Sequence, residues 1–342
     1  MKVLILSDGR AGHVNQARAI AMALERNFSV SVTTVRVNLR AGFLRYLLRG
    51  VLNRRAGRLP AALWKWFHKG DALPPETPDL IVSAGGHTSG ANAWLSNLRG
   101  CRNLFCGDIR GLRPTLFSGI ISAYDEDAAR PGFIVSPTPV VIDRAALEEK
   151  AAQWRTRRGM AATRCWGLLA GGDGAGYTYT RADWQRLANE LAALARQHGI
   201  RWLLTTSRRS GPEAAAALRS IAPEYIADTA LAGEPGDLSY HEILGASERI
   251  FVTEDSHMMI SEAIATGKPV HTLQPESFRT DESNLHFLKL YESKGWISRH
   301  PIEGAGGVDY ASMSRESREP PGVLEELAEK LAVWWRQQEI TP

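Results

Sequence analysis

Cysteine is scarce: the 342-residue chain has three, Cys101, Cys106 and Cys165. An odd number without paired-ligand spacing supports neither a disulfide framework nor a zinc site, so reduced thiols are expected. Long apolar runs are lacking too, and none approaches the roughly 18 residues that cross a bilayer. The opening MKVLILSDGRAGH passes from a short strand pattern directly into a glycine loop, without the apolar core and cleavage region of a signal peptide. A cytoplasmic protein is therefore expected. No internal repeat or low-complexity tract is present. Acid is missing locally: between Arg36 and Lys69 there are nine Lys and Arg and no Asp or Glu.

What is there fits a globular chain of two ordinary domains, with 44% hydrophobic and 23% charged residues. Val3 to Leu6 reads as a strand, and SDGRAGHVNQARAIAMALE turns through Gly9 and Gly12 into a helix with Ala17, Ile20, Ala21 and Leu24 on one face. Phe28 to Val37 is a β-branched strand. The acid-free stretch follows, interleaving Arg40, Arg45, Arg49, Arg54, Arg55, Arg58 and Lys65 with Phe43, Leu47, Leu48, Leu52, Trp64, Trp66 and Phe67. Cations beside aromatic and aliphatic groups suit a membrane interface, and a helical excursion with solvated arginines is the plain alternative. No nucleic-acid motif accompanies the charge. After ALPPETP, Leu80 to Ser83 leads into a second glycine loop through Gly85, Gly86 and Gly90. Short strands are predicted near Asn103–Cys106, Leu116–Ile121 and Phe133–Val135. Asp125 and Asp127 have a spacing that could bind a divalent ion, although loop carboxylates are common.

A charged helix from Ala146 to Arg158 marks the linker, after which the α/β rhythm restarts. Trp166 to Ala170 is a strand, Gly171 to Gly176 a glycine loop, and Thr180 to Gln197 an amphipathic helix. Arg201 to Thr205 leads into Thr206-Ser207-Arg208-Arg209-Ser210, whose hydroxyls and guanidinium groups suit a diphosphate. A helix from Pro212 to Ile221, an irregular stretch through Asp237 and the short helix SYHEILGAS come next. ERIFVTEDSHMMISEAIATGKPVHTL then reads as strand, tight loop, short helix and strand. Asp255 or Ser256 can cap that helix, and Gly267 with Pro269 closes it. A helix start beyond a strand's carboxyl end attracts phosphate, and Glu262 on this helix can accept hydrogen bonds from sugar hydroxyls. A final helix, Gly322 to Gln337, places Leu324, Leu327, Leu331 and Trp334 on one face.

In combination these segments resemble the GT-B glycosyltransferases. SEAIATGKPV is similar to their donor-site signature, in which the position of Glu262 holds the ribose hydroxyls and the helix start holds the diphosphate. DGRAGH and AGGHTSGANA resemble the two amino-domain glycine loops of the transferase that adds N-acetylglucosamine to the lipid-linked peptidoglycan precursor. DESNLHFLKLYESKGWI resembles the helix after its donor loop. Over nearly the whole chain the closer similarity is to the mitochondrial fission family named after the plant elongated-mitochondria protein, whose bacterial members resemble glycosyltransferases. DGRAGHVNQ, SAGGHTSGANA, LLAGGDGAGY, LLTTSRRS and VTEDSHMMISEAIATGKPV carry it. The plant relative implies a role in organelle division through a dynamin partner, which fits poorly with a chain lacking a targeting presequence.

The resemblance implies an α/β, GT-B-like fold of two Rossmann-like parallel-sheet domains facing a central cleft. The acceptor-side domain spans 1–150, with the basic insertion near 40–69; the donor-side domain spans 151–320; the helix of 321–342 is expected to pack back on the first. A nucleotide-sugar, taken as UDP-linked, would be held by Gly171, Gly172, Gly174, Ser207, Arg208, Asp255, Ser256, His257, Met258, Glu262 and Asn284. Arginine and amide dipoles would stabilise the leaving diphosphate without a metal or cofactor. The general base is sought at His13, then Asp8, with His87 and Asp108 as further candidates; each could equally serve as a turn or loop-orienting residue. The expected activity is sugar transfer to a lipid-linked or lipopolysaccharide-type acceptor at the inner face of a membrane, with no nucleic-acid partner. The alternatives are nucleotide-sugar 2-epimerisation and a non-catalytic membrane adaptor of the mitochondrial-fission type.

Overall fold

Runs of aliphatic residues with no polar side, such as VLIL and LIV, can only be buried on both faces, which is the situation of central strands in a parallel sheet. A computed structural model shows that arrangement twice; it describes residues 1–280, 282–308, 310 and 322–340, the side chains of 339 and 340 excepted. The chain divides into one unit made of 1–141 and 322–342 and a second made of 142–321.

The first unit contains β1 (Lys2–Ser7), α1 (Ala11–Glu25), β2 (Ser31–Leu39), α2 (Leu44–Arg54), α3 (Trp64–Phe67), β3 (His68–Gly70), β4 (Leu80–Ala84), α4 (Ser89–Arg99), β5 (Arg102–Cys106), β6 (Gly119–Ser122) and β7 (Phe133–Val135). Its sheet runs β3-β2-β1-β4-β5-β6-β7, parallel except for β3. Alternate residues of β1 and β4 point to opposite faces: Val3, Ile5, Leu80 and Val82 meet α1, whereas Leu4, Leu6 and Ile81 meet Ala91 and Leu95 of α4. The chain leaves β1 toward β2 on one side and returns to β4 on the other. A crevice therefore opens at the carboxyl ends of β1 and β4, where the connections diverge.

The second unit contains α5 (Arg144–Arg158), β8 (Cys165–Ala170), α6 (Arg181–His198), β9 (Arg201–Thr206), α7 (Gly211–Arg219), β10 (Ile226–Ala230), α8 (Tyr240–Ala246), β11 (Ile250–Thr253), α9 (His257–Ala265), β12 (Val270–Gln274), α10 (Glu282–Ser293) and β13 (Ser298–Pro301). All six strands are parallel in the order β10-β9-β8-β11-β12-β13, so the connections diverge between β8 and β11. A capping box starts α6: the Asp183 amide donates to Thr180 Oγ1, while the Thr180 amide donates to Asp183. Trp166, Trp184 and Trp202 fill the core beside Leu187, Leu191 and Leu204.

The last helix, α11 (Val323–Ile340), belongs to the first unit, where Leu324, Leu327, Leu331, Trp334 and Trp335 join Ile20 and Leu24 in one cluster. Several elements differ from the sequence reading. The boundary falls at 141/142 rather than 150, because α5 packs against α8 as part of the second unit. The strand expected at Leu116–Ile121 starts only at Gly119, since Pro114 to Leu116 forms a 3₁₀ turn. β3, β10 and β13 were not anticipated. They are short edge strands whose residues, HKG, IADTA and SRHP, carry little β-branched signal. Among the described residues no helix is long and apolar enough to cross a membrane.

Candidate functional site

In the first unit, the loop after β1 is built by Asp8. Its Oδ1 accepts the Arg10 amide at 3.0 Å, an Asx turn that brings Gly9 to φ 84°. Its Oδ2 faces His13 Nδ1 at 2.8 Å. The Asp8 side chain is 2% exposed and that of His13 28%. A buried carboxylate at Nδ1 fixes the tautomer with its proton there, leaving Nε2 as the acceptor. Gly85, at φ 81° after β4, lies against the imidazole, and any side chain at 85 would overlap the His13 ring. The two glycine loops of this unit are thus one structure, with the histidine of the first seated on the glycine of the second. His87 is half-buried nearby; burial and then Arg10 hold its pKa below the ordinary 6.5, with Asp8 and His13 among its charged neighbours. Asp108 is exposed, accepting the Arg110 amide at 2.8 Å. Asp127 is committed elsewhere, taking the Ser122 hydroxyl and Arg130 Nη1 at 2.5 Å each. Among the described residues no group of His, Cys, Asp and Glu forms a metal cluster.

In the second unit, the glycine loop after β8 is held from below by Thr253 and Asp255. The Gly171 amide donates to Thr253 Oγ1 at 2.7 Å, and the Thr253 hydroxyl sits 2.7 Å from Asp255 Oδ1. A side chain on Gly171 would overlap the Asp255 carboxylate; one on Gly172, at φ 112°, would meet the Arg209 backbone. Ser207 donates its hydroxyl to the Gly171 carbonyl, and Ser210 Oγ reaches the same oxygen at 2.9 Å. The arginine that enters this loop is Arg209. Its Nη1 donates to the Asp173 carbonyl at 2.7 Å, over Gly174, and its Nη2 stands 2.8 Å from Asp255 Oδ2 as an ion pair without hydrogen-bond alignment. Arg208, the residue expected there, is exposed. Burial raises the Asp255 carboxyl to about 6, against the pull of Thr253, Arg209 and the Gly172 amide.

Ser256 occupies the position before α9 but makes no side-chain cap, so the first amides of this helix are not satisfied by its hydroxyl. His257 stacks on Phe287 of α10 at 4.1 Å and bonds through Nε2 to Asn284 Oδ1. Asn284 in turn donates to Thr280 Oγ1 at 2.6 Å, and Thr280 to the Ala175 carbonyl. The two therefore join α9, α10 and the glycine loop in one chain of bonds. Met258 is half-buried on the first turn. Glu262 is half-buried on the second turn and accepts Tyr240 OH at 2.9 Å. Burial raises its carboxyl to about 7, moderated by Tyr240.

Neighbouring Glu254, fully buried, takes Arg299 in a two-pronged pair at 2.8 and 3.0 Å, Tyr177 OH at 2.8 Å and Thr272 Oγ1 at 2.9 Å. It anchors Tyr177 of the glycine loop, which stacks on Phe278 at 4.9 Å. Tyr240, Glu254 and Arg299 were not among the expected site residues, and of the Arg208-Arg209 pair the sequence analysis chose Arg208. Only the Arg-Arg pair offered a signal, and it does not say which member turns inward.

Two glycine loops with a carboxylate-held imidazole at the first unit's divergence point, and one glycine loop with a helix start and the half-buried Glu262 at the second's, can bind anions, accept sugar hydroxyls and accept a proton. A model of the family described as mitochondrial fission ELM1 matches residues 11–318. No curated protein sequence matches the chain. Among solved structures, the fold is similar to UDP-GlcNAc 2-epimerase from Methanocaldococcus jannaschii (TM-score 0.61, 13% identity, 98% of this chain and 100% of that one). It is also similar to MurG from Acinetobacter baumannii (0.52, 13%, 99% of each). Arabidopsis thaliana UGT89C1, solved with UDP, gives 0.53 at 12% identity, covering 97% of this chain and 93% of that one. At these identities the likeness shows a shared GT-B-type α/β fold. With the family model spanning most of its length, the chain belongs to the mitochondrial fission ELM1 family.

Proposed function

We propose that this protein is a glycosyltransferase that moves a sugar from a UDP-linked donor to a hydroxyl of a lipid-linked or lipopolysaccharide-type saccharide at the inner face of the cytoplasmic membrane. The observation that carries the reading is Glu262. It is a half-buried carboxylate with Tyr240 as its one described partner, no cation pairs with it among the described residues, and burial makes its ionised form costly. A cost of that kind, on the helix that opens beside a phosphate-type glycine loop, suits a ligand that supplies hydroxyl donors, as a ribose does. UDP-GlcNAc and UDP are named with an epimerase structure, and UDP with the plant one.

In this mechanism Glu262 accepts the ribose hydroxyls. The amides at the start of α9, the Gly171–Gly174 loop and Arg209 stabilise the diphosphate as the bond from the sugar carbon to phosphate oxygen breaks. The acceptor hydroxyl forms the new bond to that carbon, and its proton passes to His13 Nε2, with Asp8 steadying the imidazolium. Asp255 sits close to this anion site. Its neutralisation by Arg209 is therefore part of donor binding.

Calorimetric titration of UDP tests the donor half: Glu262→Ala should weaken binding about tenfold or more, the cost of losing a charge-assisted bond. No binding of any nucleoside diphosphate would remove the enzyme reading and leave the adaptor. Mass spectrometry of UDP-sugar incubated with membrane extract should show transferred sugar, lowered about a hundredfold by Asp8→Asn with UDP affinity unchanged. Free epimerised sugar would assign the 2-epimerase reaction instead.

A further inference from the structure

The large hydrophobic side chains left exposed are concentrated in one short segment. Phe43 (69%), Tyr46 (54%), Leu47 (54%), Leu63 (37%) and Trp66 (76%) account for five of the nine among the described residues. Helix α2, which Phe43 precedes and which carries Tyr46 and Leu47, is apolar on two sides. Leu48 and Leu52 are buried in a cluster with Trp94, Leu48 lying where Gly90 has no side chain, whereas Phe43, Tyr46 and Leu47 stand in solvent. Trp66 is held close to the start of this helix: the Arg40 amide donates to the Phe67 carbonyl at 2.9 Å, Arg40 Nε to the Lys65 carbonyl at 2.6 Å, and Leu39 pairs with His68.

All nine cations between Arg36 and Lys69 are exposed, and no acid lies among them. Arg45 and Arg49 lie over the Tyr46 ring, 4.6 and 5.6 Å from its centre. Clustered like charges repel and exposed aromatics stay in water, so this face favours company that is both anionic and apolar. Nucleic acid would meet the cations but offer Phe43 and Leu47 nothing to enter. A phospholipid surface offers both.

The face is also fastened to the first unit's glycine loops. Arg49 Nη1 reaches the Arg110 carbonyl at 3.5 Å, Asn53 donates to the Gly111 carbonyl at 3.0 Å, and the Arg113 amide donates back to Asn53 at 2.9 Å. The Arg110 side chain covers Gly86, next to the Gly85 that seats His13.

We propose that residues 40–69 are a lipid-docking element, in which Phe43, Tyr46, Leu47 and Trp66 enter the interfacial layer of an anionic phospholipid bilayer while Arg40, Arg45, Arg49 and Lys65 meet its phosphates. Through Arg49 and Asn53 the docked helix positions the 108–113 loop beside the Asp8–His13 pair. This rests on the preceding reading only for the lipid-linked acceptor and is independent of the donor chemistry.

The test is co-sedimentation of the full chain with vesicles of phosphatidylcholine alone or containing about 30% phosphatidylglycerol, at low and moderate salt. Anionic vesicles should bind about tenfold more tightly, and salt should weaken that binding. The triple change Phe43→Ser, Leu47→Ser, Trp66→Ser should lower it about tenfold or more, with melting temperature and UDP affinity unchanged. As a second variant, Arg45→Glu with Lys65→Glu should lower binding to anionic vesicles only. Equal binding to both vesicles, undiminished binding by the triple variant, or no vesicle binding would overturn the proposal. So would self-association or oligonucleotide binding that the triple variant abolishes in the absence of vesicle binding. Failure of UDP to bind while vesicles still do would sink the donor reading and leave this one standing.

Discussion

Replacing Glu262 by Gln should make the protein more stable and less able to bind its donor. The side chain keeps its shape and the Tyr240 hydroxyl keeps an oxygen to bond, so the change isolates the charge. Burial holds the folded carboxyl at about 7 against an ordinary 4.5. Below the lower value both states are protonated and nothing is lost. As pH rises between the two, the unfolded chain ionises while the folded one keeps its proton, so stability falls; above about 7 the full cost is present. At about 1.36 kcal/mol for each pKa unit the ceiling is about 3 kcal/mol, and the solvent-open side of the residue reduces this to about half. A domain of this size gains roughly 2–4 °C for each kcal/mol, so Gln should raise the melting temperature by about 3–6 °C at about pH 8. About a quarter of the gain should remain at about pH 5, where both folded forms are neutral at this position. Scanning calorimetry across pH, with UDP titrations of both proteins, gives the answer. An equal or lower melting temperature for Gln at about pH 8, or a gain independent of pH, would refute the argument that burial of Glu262 carries an uncompensated charge.

Two further outcomes follow from the geometry. Glu254→Ala leaves the half-buried Arg299 guanidinium with only Glu292 at 4.0 Å and frees Tyr177, so denaturant melts should show a loss of about 3 kcal/mol together with weaker UDP binding. Gly85→Ala puts a methyl group into the His13 ring at a backbone angle of φ 81°; thermal denaturation should show a loss of about 1–3 kcal/mol, and sugar transfer should fall with little change in UDP affinity.

Much of the parallel framework is visible in the residues. The buried runs of β1, β4, β8 and β11 carry no polar side, and each is followed by a glycine loop or a helix start. What sequence spacing could not resolve is which of two adjacent residues faces in. Arg208 and Arg209 are chemically identical, and the choice is made by Gly172 and Gly174, whose missing side chains leave room for the second one. Glu254 and Asp255 look like a solvated pair but are both buried, because Arg299 and Arg209 arrive from elements 45 and 46 residues away along the chain. Tyr240, the partner of Glu262, lies on a different helix and becomes its neighbour only when α8 and α9 come together in the folded second unit. The edge strands were missed because pairing, rather than composition, makes them strands.

The position of α11 has a consequence for the order of assembly. A nascent chain that has emerged as far as 141 has every strand of the first sheet, but one face of that sheet still lacks Leu324, Leu327, Leu331, Trp334 and Trp335. The second unit lies wholly between, so its sequence is complete before the first can be covered. Synthesis therefore passes through a stage in which the earlier-made half waits, with apolar surface open, for the later-made half to be finished. Helix α11 acts as a checkpoint: the first unit completes its core only after residues 323–340 have been translated.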